Sequence, residues 1–191
     1  MKRIHVIGTS GSGKTTLAAN IAHRLNIPHI ELDVLHWEPG WQPAPLDDFR
    51  LRVSRALEGD SWTVDGNYSK VRDIIWARAD TIVWLDYPLS VILWQLFKRT
   101  YKRVISQEAL WSGNTETWQD QLLSRDSILL WAIKTYKRRR REYPQLLNLP
   151  EFSHLNMIHH KTPAATRAWL VQFSQFDDTP LSAQKKQEME P

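Results

Sequence analysis

Short runs of β-branched and aliphatic residues alternate with longer stretches in which apolar positions recur every three or four residues. Residues 2–7, KRIHVI, read as a strand closed by Gly8. Leu17, Ile21 and Leu25 fall four apart and place a helix over 14–25, with Asn26 and Pro28 marking its end. A second strand covers 29–32 and closes at Asp33, and WEPGWQPAP, 37–45, reads as a turn-rich loop. Phe49, Val53 and Leu57 predict a helix over 46–57. Residues 62–64 form a third strand running into DGNY, with a short helix over 71–76. Strand 81–85 ends at Asp86-Tyr87-Pro88 and is followed by a long helix over 89–105. The pattern then predicts a helix over 127–143 stopped by Pro144, a strand over 156–159 and a last helix over 163–173. Residues 177–191 are polar and are expected to be disordered. Strands alternating with helices predict an α/β fold, a parallel sheet covered on both faces. The apolar strands IHVI and TIVWL agree with burial on both sides.

Composition narrows the setting more than the fold. The 191 residues fit one domain, here 1–176, with a small mobile insert. No cysteine is present, which excludes disulfides and thiolate metal sites and points to a reducing cytoplasm. The start of the chain, basic then apolar, resembles a signal peptide, but its apolar run is too short and glycines break it. No run is long enough for a bilayer, so no membrane partner is expected. A net charge of +4 suits anionic ligands without requiring nucleic acid. Ten tryptophans exceed what surface roles need, so most are expected in the core and a few against a ligand.

The strongest chemical signal is GTSGSGKT, Gly8–Thr15, between the first strand and the first helix. It fits G-x-x-x-x-G-K-[ST] at every required position. Gly8, Gly11 and Gly13 let the backbone curl, so that N–H groups of Thr9, Ser10 and Ser12 point inward as an anion nest. The first helix adds its positive end. Lys14 reaches the β- and γ-phosphates, the Thr15 hydroxyl binds Mg²⁺, and Thr16 lies near the α-phosphate. ATP and Mg²⁺ are the expected cofactors.

This loop, the short chain and the arginine-rich second half resemble the nucleoside-monophosphate-kinase group of P-loop proteins, adenylate-kinase-like. Within it, ELDVLHW, VDGNYSKVRDIIW, VWLDYP and SRDSILLWA are similar to proteins known as DNA topology modulation proteins. The resemblance implies a three-layer P-loop NTPase with a five-stranded parallel sheet in order 2-3-1-4-5. It also implies an acceptor-binding insert at about 34–60, an arginine-bearing lid at about 106–125, and phosphoryl transfer from a nucleoside triphosphate to a small acceptor. Asp65 matches the carboxylate that holds Mg²⁺ through water, although Asp-Gly also makes ordinary turns. Asp33 and His36 match a D-x-x-H stretch in which the Asp meets an acceptor hydroxyl; a loop cap over a packed His is the alternative. Asn67 and Tyr68 follow Asp65 and are candidates for the acceptor pocket.

Arg99 and Arg125 are the expected lid arginines that stabilise charge on the transferring group, unless both are plain surface residues. Two positions depart from the adenylate-kinase pattern. Gln95 stands where the lid helix's first arginine would fall, and Ser69 where an arginine would grip an AMP phosphate. A hydroxyl-bearing acceptor is the better fit. KTYKRRRRE, 134–142, has three readings: a solvated helix face, arginines reaching nucleotide phosphates, or a nucleic-acid patch. Leu129, Ala132, Ile133 and Tyr136 are expected to form this helix's core-facing stripe. An ATP-binding, DNA-associated regulator using this helix is the alternative function.

Overall fold

A computed structural model describes residues 1–106, 111–113 and 128–173, with the backbone alone at 128 and 129. Arg125, most of the expected lid and the 177–191 tail lie outside the described residues. The first half comprises β1 (Arg3–Gly8), α1 (Lys14–Leu25), β2 (His29–Glu31), α2 (Leu32–His36), β3 (Trp37–Glu38), β4 (Gln42–Pro43) and α3 (Leu46–Ala56). The second comprises β5 (Trp62–Asp65), α4 (Arg72–Arg78), β6 (Thr81–Leu85), α5 (Leu89–Ser106), α6 (Ile128–Leu147), β7 (Asn156–His160) and α7 (Pro163–Val171).

Five strands form one parallel sheet in the order β2-β5-β1-β6-β7. With the β3–β4 ribbon set aside this is the expected order 2-3-1-4-5. Strands β1, β5 and β6 are buried almost throughout, as a sheet covered on both faces requires. On one face Ile4, Val6 and Val83 pack with Leu17 and Ile21 of α1 and Ile92 of α5, with Trp169 of α7 against them. On the other, Ile7, Val64 and Trp84 pack with Phe49 and Val53 of α3, Ile75 and Trp76 of α4 and Tyr143 of α6. His5 is buried between these layers. It accepts a hydrogen bond at Nδ1 from Trp76 Nε1 (3.0 Å), which leaves Nε2–H to donate to Gly66 O (2.9 Å).

Three local expectations change. Residues 37–45 are an antiparallel ribbon, Trp37 opposite Pro43 and Glu38 opposite Gln42, closed by a 3₁₀ turn over Pro39–Trp41. Helix α6 does not stop at Pro144 but continues to Leu147, with Asn148 N donating to Pro144 O (3.2 Å). Pro144 removes one helical hydrogen bond, and the packing of Tyr143, Leu146 and Leu147 on the core offsets that loss. The stripe of α6 is also shifted. Among its described side chains the buried ones are Ala132, Thr135, Arg139 and Tyr143. Of the expected stripe, Ala132 is buried and Tyr136 packs against the core, Ile133 is 44% exposed, and the Leu129 side chain lies outside the described residues. A purely apolar pattern misses this face because it carries a polar and a charged side chain.

Candidate functional site

Strand order fixes the site. The glycine loop leaves the central strand β1, Asp33 follows the edge strand β2, and α7 follows the opposite edge strand β7. All three lie at the carboxyl end of the sheet, where ligands of open α/β folds bind. A cleft of about 1400 Å³ runs along this end, from Asp33 and Trp41 past Lys14 to Thr166 and Arg167. Single small-molecule pockets are typically about 300–1,000 Å³, so the cleft has room for two ligands side by side.

At its centre the loop is held by contacts that only glycine permits. Gly11 has φ +84°, and a Cβ there would sit 2.9 Å from Ile92 O and 2.9 Å from Leu96 Cβ. Helix α1 starts after Gly13, with no side-chain cap and no acidic residue in its first turn. Its leading N–H groups therefore face the cleft without an internal acceptor and fit a phosphate. Ser12 is buried, and its hydroxyl has no partner among the described residues. Lys14 donates from Nζ to Thr9 O (3.3 Å), and burial lowers its pKa to about 8, with nearby Arg139 adding to the shift. A cation short of counter-charge beside uncapped N–H groups is built for an anion.

Thr15 Oγ1 donates to Asp65 Oδ2 at 2.6 Å, and His29 Nε2 contacts Asp65 Oδ1 at 2.8 Å. Strand pairing makes this possible, since Asp65 ends β5 directly beside β1. Hydroxyl and carboxylate oxygens are the hard donors Mg²⁺ prefers, so the pair fits the expected ion. His29 was invisible to motif reading; its position beside Asp65 comes from the β2–β5 register.

Asn67 fastens the loop to this strand end. Its amide donates to Gly8 O (2.5 Å), and its Oδ1 accepts from Gly8 N (3.3 Å) and from Tyr143 Oη (3.1 Å). Tyr68 donates its hydroxyl to Asp33 Oδ1, and burial with the neighbouring carboxylate pushes the phenol's pKa up. Asp33, Asn67 and Tyr68 all line the cleft. His36 does not; its ring packs against Trp37, Phe49 and Tyr68 at 4.8, 4.8 and 4.5 Å between centroids. Burial lowers its pKa.

Arg99 faces the cleft from α5, as do Lys102 and Arg103. The second-half arginine the sequence did not single out is Arg139. It is only 7% exposed and lines the cleft, and its Nη1 has no hydrogen-bond partner among the described residues. Its neighbours in the basic run go elsewhere. Arg138 pairs with Glu142 (3.7 Å), and Arg140 pairs with buried Asp86 (3.0 Å). On the insert, Arg50 pairs with Asp73 (2.6 Å) and Arg52 with Glu38 (2.7 Å), and neither lines the cleft. Gln95 lines it, with Oε1 buried and unpartnered among the described residues.

No protein-family model matches the chain. Uncharacterized protein YqaC of Bacillus subtilis strain 168 is 27% identical over 104 residues, 53% of this chain and 58% of that protein, under two thirds of its length. Shikimate kinase from Acinetobacter baumannii, solved with shikimate, aligns over 92% of both chains with a TM-score of 0.52 and 15% identity. Shikimate kinase from Bacteroides thetaiotaomicron aligns over 92% of this chain and 97% of its own, with a TM-score of 0.52 and 16% identity. The fold is similar to that of the shikimate kinases. Nothing in these matches supports a DNA-topology name. No described helix is long and apolar enough to cross a membrane.

Proposed function

We propose that the protein is an ATP- and Mg²⁺-dependent kinase that transfers the γ-phosphoryl group to a hydroxyl of a small molecule. The observation that carries this reading is the Thr15–Asp65 pair, 2.6 Å apart, midway along a cleft with room for two ligands. The triphosphate lies on Gly8–Thr16, with its nucleoside toward α7 and the acceptor beside Asp33. Sheet order supports that assignment, because β7 and β2 are opposite edges about the central loop strand.

Each residue then has a defined task. Lys14 holds the β- and γ-phosphate oxygens. Thr15 and Asp65 hold Mg²⁺, with His29 fixing the carboxylate. Bound there, the ion neutralises charge on the β- and γ-oxygens. Asp33, itself braced by Tyr68, orients the acceptor hydroxyl and accepts its proton. The acceptor oxygen bonds to the γ-phosphorus as the bond to the β–γ bridging oxygen breaks, and ADP leaves with that electron pair. Arg139 and Arg99 stabilise negative charge on the equatorial oxygens, with Arg125 as the further lid arginine. His36 serves beneath the acceptor pocket by holding the Tyr68 ring.

Phosphorus NMR with Mg²⁺–ATP and a pool of nucleotides and hydroxylated metabolites tests the reading, with Lys14→Ala as control. A new phosphoryl resonance absent from the control is expected. ADP and free phosphate alone would overturn transfer to an acceptor.

A further inference from the structure

The acceptor end of the cleft has a chemistry of its own, and its walls differ from the centre in sign and in kind. Three indoles line it: Trp37, Trp41 and Trp111. They stand edge to face in a chain, with centroids 5.6 Å apart for Trp37–Trp41 and 6.1 Å for Trp41–Trp111. Trp41 is held there at φ +57°, a left-handed conformation rare for a bulky residue, directly after Gly40 at φ +71°. Strain at such a position persists where surrounding structure enforces it, and it concentrates at ligand sites.

The polar groups at this end are acceptors with few free donors among them. Glu31 and Asp33 flank buried Leu32 and both line the cleft. Glu31 Oε2 accepts from Trp111 Nε1 (3.1 Å), and Asp33 Oδ1 accepts from Tyr68 Oη. No partner of Glu31 Oε1 or Asp33 Oδ2 is found among the described residues. Three nearby donors among the described residues are already engaged: the Trp111 indole on Glu31, the Tyr68 hydroxyl on Asp33 and the Asn67 amide on Gly8. Among the described residues the open polar groups on this side are carboxylate oxygens, which a ligand's own donors would satisfy. An anionic group beside Glu31 and Asp33 would meet two carboxylates; Arg50 and Arg52 of the insert are taken by Asp73 and Glu38, and Arg103, the cation that reaches this end from α5, sits over the Trp111 ring. A cation meets opposite charge and aromatic faces together, the combination that recognises ammonium groups. The wall already accepts one: the Arg103 guanidinium, reaching over from α5, lies 5.8 Å from the Trp111 ring centroid.

We infer that the phosphoryl acceptor is a hydroxylated amine, an amino alcohol or amino sugar, with its ammonium between Glu31 and the three indoles and its hydroxyl on Asp33. This rests on the kinase reading above. A protonated amine has no lone pair, so the hydroxyl, not the nitrogen, takes the phosphoryl group.

Matched pairs test it: 2-aminoethanol against ethylene glycol, and glucosamine against glucose, with gluconate as the anionic comparison. Each is given with Mg²⁺–ATP, following ADP release and the phosphorus spectrum. The aminated member should win by at least about tenfold in kcat/KM, and Glu31→Gln should narrow that gap to about threefold or less. Where turnover is too slow to compare, quenching of tryptophan fluorescence with Mg²⁺–ADP bound gives the same ranking, amine over neutral partner. Equal or better use of the neutral or anionic member overturns the inference, as does an absence of amine-selective quenching. Lys14-dependent transfer to a neutral or anionic acceptor would sink the amine while leaving the kinase standing. A failure to bind Mg²⁺–ATP would sink both.

Discussion

The centre of the cleft and its β2 end are built by opposite means. The centre is eight consecutive residues, three glycines, one lysine and four hydroxyl side chains, and its N–H groups converge because a strand turns into a helix. The β2 end is made of side chains from segments far apart: Glu31 and Asp33, the β3–β4 ribbon, Tyr68 after β5, and Trp111. In the proposed kinase, the first needs only local geometry and would hold what every triphosphate shares. The second needs the whole sheet in register and would carry the features that distinguish one acceptor from another. A fold can therefore keep one chemistry at its centre and vary its substrate at the edge.

The sharpest way to break this contrast is to remove the centre's charge. Lys14→Ala should lower kcat by about 10³-fold or more, roughly 4 kcal/mol, for every acceptor alike. The fold should not suffer. Burial already depresses the lysine's pKa to about 8, so the charge opposes folding in the absence of ligand. A melting temperature equal to or above that of the parent is expected, and a large drop would show that Lys14 is structural.

The next effect concerns the platform that both regions share. His5 is buried, and burial lowers its pKa from 6.5 to about 4, against the weaker pull of the Gly66 carbonyl. Protonation would also cost the bond from Trp76. The unfolded chain therefore binds the proton first as pH falls. Stability is full above about pH 6.5 and declines to about pH 4, by about 3 kcal/mol from this group. Denaturant midpoints measured between pH 7 and 4 check it. A His5→Gln variant, whatever its starting stability, should lose that part of the slope, and an unchanged slope would assign it elsewhere.

How far the molecule could be read in advance follows the same division. The glycine loop and the helix-forming periodicities were legible because each is local, and the parallel sheet because strands alternate with helices; its strand order came only through the family resemblance. The ribbon at 37–45 was not, because Pro39, Gly40 and Pro43 look like loop residues until the backbone pairs Trp37 with Pro43 and Glu38 with Gln42. Nor was the inner face of α6. Four consecutive arginines necessarily point around the whole helix, and sequence alone cannot say which one is inside. Only Arg139 is buried. This sharpens the comparison within a single run. Arg139→Met should reduce kcat by about 100-fold with no loss of melting temperature, because a buried guanidinium with an unpartnered N–H is costly to keep. Replacing exposed Arg138 and Arg141 together with Gln should change turnover by less than about twofold. Equal effects at inner and outer arginines would return the run to the role of a charged surface.

The smallest effect separates centre from edge by pH. In the ligand-free protein Lys14 loses its proton near pH 8. A bound triphosphate surrounds the ammonium with negative charge and raises that pKa, so binding takes up a proton wherever the free lysine is neutral. Below pH 8 the ammonium is already in place and affinity for Mg²⁺–ATP should be flat. Above it affinity should fall, by about tenfold between pH 7 and pH 9, or about 1.4 kcal/mol. The decline continues until the bound lysine itself titrates. Calorimetry in buffers of different ionisation enthalpy would count the proton directly: close to none at pH 7 and nearly one at pH 9. Lys14→Arg keeps its charge throughout, so its affinity, even if weaker, should not change with pH in this range. A parent protein as flat as that variant would mean that Lys14 is fully charged before the nucleotide arrives. The anion would then be drawn by the uncapped α1 N–H groups and the buried arginine rather than by the lysine.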